Sequence, residues 1–540
     1  MTPDQLRHLA AEGQRLTPLH LRELLRQPGR YAAHSHRVGP LLLDQSKQKW
    51  DAHALDRLGE LVNACGWEAA RDGMFRGDVI NRSEQRAVLH TALRAIESRL
   101  PSPAPADVRK EIDDTLQRMA ALVDAFERGS GEFGVPAGIT DIVNLGIGGS
   151  DLGPRLAVEA LTDFHTGRFR CHFLPNVDGT EIAALMRRLD PKKTAVLLVS
   201  KSFTTQETLL NGSVLRQWIE EAYAGDKNAA ARHFVAVSSN VEAAKAVGIP
   251  AERVLPMWDF VGGRLSVWSA VGFVLALAVG MPNFRAFLRG AALMDDHFRT
   301  ASWKQNLPVL MALAGVWNRN ALNHPTFAVI PYADRLRELP SFLQQLEMES
   351  LGKRVTSEGV PVEQSTVPVL WGNVGTNAQH AFFQALHQGT DIVPIDFIGV
   401  ARPHHDLRSN HEALLSNLLA QSAAMAIGKP FEEALAEAKD GDDAARRALA
   451  AQRTFPGDRP SNTLLLDALT PESFGALIAL YEHKVYVQSL LWNVNAFDQW
   501  GVELGKTLAK AILPAVAENA DASKFDASTQ GLLAAIKALS

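Results

Sequence analysis

Short, nearly unbroken apolar runs, each ending in a polar turn and leading into a helical stretch, constrain this chain more than any other feature. Asp141-Ile142-Val143-Asn144-Leu145 runs into glycines. Thr194-Ala195-Val196-Leu197-Leu198-Val199-Ser200 runs into the turn Lys201 to Thr205 and then a helix through Ile219. His233 to Ser238 is a third such run. Strands apolar on both faces belong in a parallel sheet covered by helices on both sides. The ligand site of such a sheet lies at the carboxyl ends of its strands, where these polar turns sit. A second set follows: Phe327–Tyr332, Val367–Trp371 and Asp391–Phe397, separated by helices at about 341–352, 378–388 and 411–426. The pattern predicts an α/β fold with two such units, over 121–290 and 300–500.

The flanks read differently. Residues 1–120 are mostly helical and polar: Leu16, Leu19, Leu21 and Leu24 recur near helical spacing, as do Val88, Leu89, Leu93 and Ile96. Ser102 to Pro105 is a Pro-rich break, and Asp107 to Phe126 is amphipathic. Residues 431–453 read as one solvated helix, Phe455 to Ser461 as a turn, and 501–540 as a helical C-terminal arm. One stretch, Leu265 to Phe284, carries no charge. Its uninterrupted apolar part, Ala270 to Met281, has the length of a buried core helix and is short of the ~20 apolar residues of a membrane span. No membrane association is expected, and no targeting signal is read at the start, Met1-Thr2-Pro3-Asp4-Gln5. The net charge of −5 with neutral histidines argues against nucleic acid as the main partner, so a bound phosphate must be met by a local site. Two cysteines, Cys65 and Cys171, form neither a metal-spaced cluster nor a disulfide framework, which suits a reducing, cytoplasmic setting.

Several motifs carry chemistry. The turn Gly146-Ile147-Gly148-Gly149-Ser150-Asp151-Leu152-Gly153 follows a strand and opens a helix, so its backbone N–H groups suit an anion. It is not a dinucleotide fingerprint, because Asp151 stands where the third glycine belongs. Gly501 to Thr507 is one residue short of a mononucleotide phosphate loop and lacks a preceding strand. Ser200-Lys201-Ser202-Phe203-Thr204-Thr205-Gln206-Glu207-Thr208 places five hydroxyl residues and a lysine between a strand and a helix, a means of holding phosphate with little net positive charge. Arg264 follows paired glycines, Gly262 and Gly263, at the start of the apolar helix; it suits an oxyanion, or is a surface ion pair. In the helix Ser341 to Gly352, Glu347 and Glu349 stand about 200° apart, so at most one faces a given site. Gly372 to His380 leads into a helix with His380, Gln384 and His387 on one face; a histidine there is an acid–base candidate. Lys506 sits in the C-terminal helix, where a lone lysine is usually solvated.

Taken together and in this order, the chain resembles the glucose-6-phosphate isomerase (phosphoglucose isomerase) family. The resemblance rests on Ile80–His90, Leu145–Gly153, Ser200–Thr208, Val261–Arg264, Gln345–Gly352, Gly372–Gly389 and Phe497–Lys506. It implies two sugar-isomerase-type α/β domains, a homodimer, no metal and no organic cofactor. The implied reaction interconverts glucose 6-phosphate and fructose 6-phosphate. It further implies that Glu349 moves a proton between carbons 2 and 1 through a cis-enediol(ate). His380, from the other subunit, and Lys506 would open the sugar ring, and Arg264 would stabilise the enediolate. Ser150, Ser200, Ser202 and Thr205 would hold the phosphate. Gly149, Lys201, Glu207, Gln345 and Gln499 would be further substrate contacts. The family usually has Thr at Ser202, Phe or Tyr at Leu265, Asn at Leu351 and Lys at Val79; these departures touch packing and the surroundings of the site. Two alternatives stand beside the isomerase: a sugar-phosphate-binding regulator, which would need only the hydroxyl turn, and action on mannose 6-phosphate by the same proton chemistry.

Overall fold

The structure, a computed structural model, describes all residues except Ser130, Asn519 and Ser540. Residues Met1–Ala496 form one compact unit and Phe497–Ser540 a second.

The first unit holds two sheets. Their strands are β1 (Ser35–Val38), β2 (Leu41–Asp44), β3 (Asp141–Leu145), β4 (Arg170–Phe173), β5 (Thr194–Val199), β6 (Phe234–Ser238), β7 (Val254–Pro256), β8 (Thr326–Tyr332), β9 (Val369–Trp371), β10 (Ile395–Arg402) and β11 (Ser461–Ala468). One sheet runs β4-β3-β5-β6-β7, parallel throughout, with Leu145 opposite Leu198 and Val199 opposite Val237. Its central strands β3, β5 and β6 are buried along their whole length, as runs apolar on both faces require. Helices Gly179–Met186 and Gln206–Ala222 cover it through Ile182, Leu185, Leu215 and Ile219.

The other sheet runs β1-β2-β11-β10-β8-β9. Its β8–β11 core is parallel, and the antiparallel hairpin β1–β2 is added at β11. The N-terminal segment, expected to be helical, therefore supplies two strands. Pro394 precedes β10 and Pro368 precedes β9, so both strands start later than the apolar runs suggested; a proline offers no N–H to a ladder. The 431–453 stretch is two helices, Phe431–Glu437 and Asp443–Gln452, broken where Gly441 adopts φ +92° and Asp442 caps the second.

The apolar stretch is a core helix. Phe273–Thr300 is buried from Phe273 to Gly280, kinks at Gly280 (φ +77°, ψ 157°) and resumes with Pro282 in its next turn. It is long and apolar enough to cross a membrane, but it is packed inside the unit. The second unit consists of helices Glu503–Ala517 and Ala527–Leu539 after a short turn at Trp500–Val502.

Candidate active site

The parallel order of the first sheet brings the turns after β3, β5 and β6 out side by side at its carboxyl edge. The turn after β3 closes on itself: Asn144 Nδ2 donates to Ser150 O at 3.1 Å, and a Cβ on Gly146 would lie 2.5 Å from that same oxygen. The hydroxyl turn after β5 is built from within. Ser200 Oγ and Thr205 Oγ1 are 3.0 Å apart, and Ser202 Oγ and Thr204 Oγ1 are 2.6 Å apart. Phe203 takes a left-handed φ of +57° and is buried in the sheet's core. From β6, Ser238 Oγ and Ser239 Oγ both donate to Lys201 O, at 3.0 and 2.6 Å. Thr205 is the N-cap of helix Gln206–Ala222, yet its hydroxyl bonds Ser200 and makes no cap bond to the helix. The first-turn amides, with Glu207 half-buried among them, thus carry no side-chain cap.

Arg264 is the centre of the arrangement. It is 3% exposed and lies in the connection from β7 to the core helix. Its Nε donates to Ser350 Oγ at 2.7 Å, Nη1 to Glu349 Oε2 at 3.0 Å, and Nη2 to Ala496 O at 2.5 Å. The surface ion pair considered for Arg264 is excluded, since the side chain is buried. Glu349 retains 21% side-chain exposure, so one end of the pair is open. The β3 turn abuts the same place: a Cβ on Gly149 would lie 2.0 Å from Gly263 C and 2.5 Å from Arg264 N, so only glycine fits. Gly148, at φ +60°, lies against Gln345, whose Nε2 would be 3.0 Å from a Cβ. Gln345 Oε1 is buried with no hydrogen-bond partner among the described residues. Lys201 Nζ and Asp259 Oδ1, 3.2 Å apart, tie the hydroxyl turn to the Arg264 loop.

Glu349 ends a π-helical turn, Gln344–Glu349, which continues helix Leu339–Leu343 between β8 and β9. Widened turns of this kind recur at functional sites. The two glutamates diverge as their spacing requires. Glu347 points inward, 1% exposed, and accepts from Lys484 Nζ at 2.6 Å. Burial pushes the Glu347 carboxyl up, with Lys484 opposing.

The structure thus gathers Gly149, Ser150, Arg264, Gln345 and Glu349, and sets the turn with Ser200, Lys201, Ser202 and Thr205 at the same sheet edge. Others stand elsewhere. His380 is exposed, beyond β9 of the second sheet. The helix expected to align it with Gln384 and His387 is broken at Phe382 (φ −141°, ψ 3°); His387 turns to Gln421, 2.9 Å away. Gln499 and Lys506 belong to the second unit, where Lys506 Nζ donates to Glu503 Oε1 at 2.8 Å. Ser350, which holds Arg264, lies within the Ser341–Gly352 helix and Asp259, which holds Lys201, just before the Val261–Arg264 stretch; neither carries a sequence signal of its own. The family departures lie in dissimilar places: Leu265 and Leu351 are buried, while Val79 is exposed. Among the described residues no group of three or more His, Cys, Asp or Glu side chains is arranged to hold a metal ion.

A covered parallel sheet with one edge turn packed against a buried guanidinium–carboxylate pair is the framework of an α/β enzyme. The sequence matches the family model described as phosphoglucose isomerase over residues 44–533. It is 49% identical over 531 residues to a glucose-6-phosphate isomerase of Stenotrophomonas maltophilia, covering 98% of each chain. It is 48% identical over 520 residues to one of Xanthobacter autotrophicus, covering 96% of this chain and 94% of the relative. The crystal structure of a glucose-6-phosphate isomerase from Chlamydia trachomatis superposes with a TM-score of 0.85 at 35% identity, covering 99% of both chains. The chain belongs to the phosphoglucose isomerase family and is an isomerase.

Proposed function

We propose that this chain interconverts glucose 6-phosphate and fructose 6-phosphate, the aldose–ketose step shared by glycolysis and gluconeogenesis. The reaction needs a holder for phosphate, a base over carbons 1 and 2, and cationic help for the enediolate oxygen. In this reading Ser150, Ser200, Ser202 and Thr205 hold the phosphate. Glu349 takes the carbon 2 proton and returns it to carbon 1 through a cis-enediol(ate), while Arg264 stabilises the developing charge. His380 of a partner subunit and Lys506 open the ring. Gly149, Lys201, Glu207, Gln345 and Gln499 complete the contacts; the unpartnered Gln345 Oε1 suits a sugar hydroxyl. The steps require no cofactor.

The observation that carries the reading is the Arg264–Glu349 pair, seated against the β3 turn and half-open at its carboxylate. A binder would need the hydroxyl turn alone. The homodimer draws support from Leu504, Leu508, Leu513 and Val516, all exposed on the helix Glu503–Ala517. The division into segments 1–120, 121–290, 300–500 and 501–540 is part of the same proposal, as is a cytoplasmic setting, which the free thiols of Cys65 and Cys171 suit.

The test is Glu349→Gln. Substrate binding should stay near native while exchange of the carbon-2 proton with solvent is lost; native-rate exchange would exclude Glu349 as the base. Mixing inactive Glu349→Gln and His380→Ala subunits should restore some activity if His380 crosses between subunits. No recovery, with subunit exchange verified, would place the whole site in one chain. Phosphate binding without turnover in a coupled assay would favour the regulator, and competition between sugars would measure any action on mannose 6-phosphate.

A further inference from the structure

One set of buried charges has no part in the proton transfer described above. Helix Pro471–Trp492 carries four consecutive buried polar residues, Tyr481 to Lys484. Glu482 and His483 face Arg94 and Asp295. Lys484 faces the other way. Its Nζ donates to Glu347 Oε1 at 2.6 Å and lies 4.8 Å from the centre of the Phe327 ring. Both partners are nearly inaccessible, at 3% and 2% side-chain exposure. A pair this buried gains little stability over a well-packed apolar one, because desolvation of both ions offsets their attraction. Its place in the chain indicates what it does instead.

We propose that the Lys484–Glu347 pair positions the π-helical turn that aims Glu349, making Lys484 a positioning residue for the isomerisation. The proposal rests on Glu349 being the base. Glu347 is two residues before Glu349, on the opposite side of one widened turn. Lys484 holds that turn from the core, Arg264 holds it from the site through Glu349 and Ser350, and Gln344 Nε2 ties it to Leu370 O of β9 at 3.2 Å. A π turn has weak backbone geometry of its own, so these side-chain anchors set where the carboxylate points. Displacing a reacting group by about 1 Å costs up to ~10²-fold in rate.

The experiment removes the charges together. Lys484→Met combined with Glu347→Leu removes both ions of the pair. The buried Asp396 carboxyl, which Lys484 also faces, keeps its hydrogen bonds from Asn462 Nδ2 at 2.7 Å and Tyr481 OH at 2.8 Å, so the double variant should still fold and unfold within several degrees of the native temperature. Its KM for fructose 6-phosphate should stay within about threefold while kcat falls ~10- to 100-fold. Native kcat in the folded double variant overturns the proposal. Should that variant not fold, Glu347→Gln carries the test: it keeps the side chain's shape but replaces the ion pair with a weaker bond from Lys484 to a neutral acceptor, loosening the anchor. A fall of threefold or more in kcat at unchanged KM supports the proposal, and unchanged kcat overturns it. Glu349→Gln is measured in parallel. If it exchanges the carbon-2 proton at the native rate, the base assignment falls and this inference with it. If it is inactive and the double variant is not, the positioning proposal alone has failed.

Discussion

Arg264→Lys is the substitution that best separates charge from geometry in this site. The guanidinium donates in three directions from one buried position, to Ser350 Oγ, Glu349 Oε2 and Ala496 O. A lysine keeps the positive charge but concentrates it on one nitrogen, which cannot reach all three acceptors. Charge-assisted bonds are worth about 1.5–3 kcal/mol each. Two lost bonds would therefore cost ~3–6 kcal/mol, reduced because the open end of Glu349 is solvated. The loss in turnover comes from a different term. Removing a preorganised donor from a developing oxyanion costs about 10²–10³ in kcat, or ~2.7–4 kcal/mol. In the proposed function the hydroxyl turn, not Arg264, holds the phosphate, so KM should move less than threefold. The assay couples glucose 6-phosphate formation from fructose 6-phosphate to a dehydrogenase, with thermal unfolding recorded on the same preparation. A folded Arg264→Lys enzyme whose kcat lies within threefold of native would refute the reasoning, because the charge alone would then suffice.

Other positions give sharper structural contrasts. Gly149→Ala should lose about 1–3 kcal/mol of stability and more than tenfold in kcat/KM, since its Cβ would meet the backbone of Gly263 at 2.0 Å; Gly262→Ala, with nothing within 4 Å, is the neutral control in both measurements. Ser200→Ala removes the hydroxyl that bonds Thr205 in the hydroxyl turn and, on the proposed phosphate role of that turn, should raise KM severalfold at nearly constant kcat, read in the same coupled assay. Asp141 is buried, which opposes ionisation, but Arg170, His172 and Thr140 outweigh this and hold its carboxyl down to about 2. Its folded value is below the ordinary ~3.9, so its contribution to stability is present above that pH and fades as pH falls toward 2. Urea unfolding of native and Asp141→Asn proteins should therefore differ most near pH 5–6 and converge toward pH 2; a difference independent of pH would exclude the ionised carboxylate as its source.

What could be read from the sequence follows from burial. β3, β5 and β6 lie in mid-sheet with both faces covered, so their residues form continuous apolar runs that announce a strand without any knowledge of partners. Five strands escaped notice: β1, β4 and β7 lie at sheet edges, while β2 and β11 lie inside a sheet with only alternate residues fully buried along their apolar stretches. β4 is Arg170-Cys171-His172-Phe173, none of it fully buried; β7 is three residues ending in proline; β1 mixes serine, histidine and arginine. Nothing in such segments separates them from loop, because only pairing with an existing sheet makes them strands.

The same distinction divides the site. The glycine and hydroxyl turns were legible because each acts through its own local backbone and side chains, as the Ser200–Thr205 bond and the left-handed Phe203 show. Arg264 was ambiguous between surface pair and oxyanion ligand because its meaning depends on Glu349, 85 positions away, and on Ala496, 232 positions away. Glu347 and Glu349 could be separated by angle, since two residues on one helix must diverge, but which of them faced solvent was set by Lys484, 137 positions from Glu347. The long-range ion pairs that sort these charges are therefore the part of the site a spacing argument cannot supply. Their energetic role is also the less obvious one: a buried pair contributes little net stability over an apolar replacement, yet removing one partner strands the other. A site assembled from such pairs can tolerate Leu at 265 and 351 in its packed surroundings, where volume is what matters. It should tolerate no change at Gly149, where the backbone of one turn rests directly on the backbone that presents the arginine.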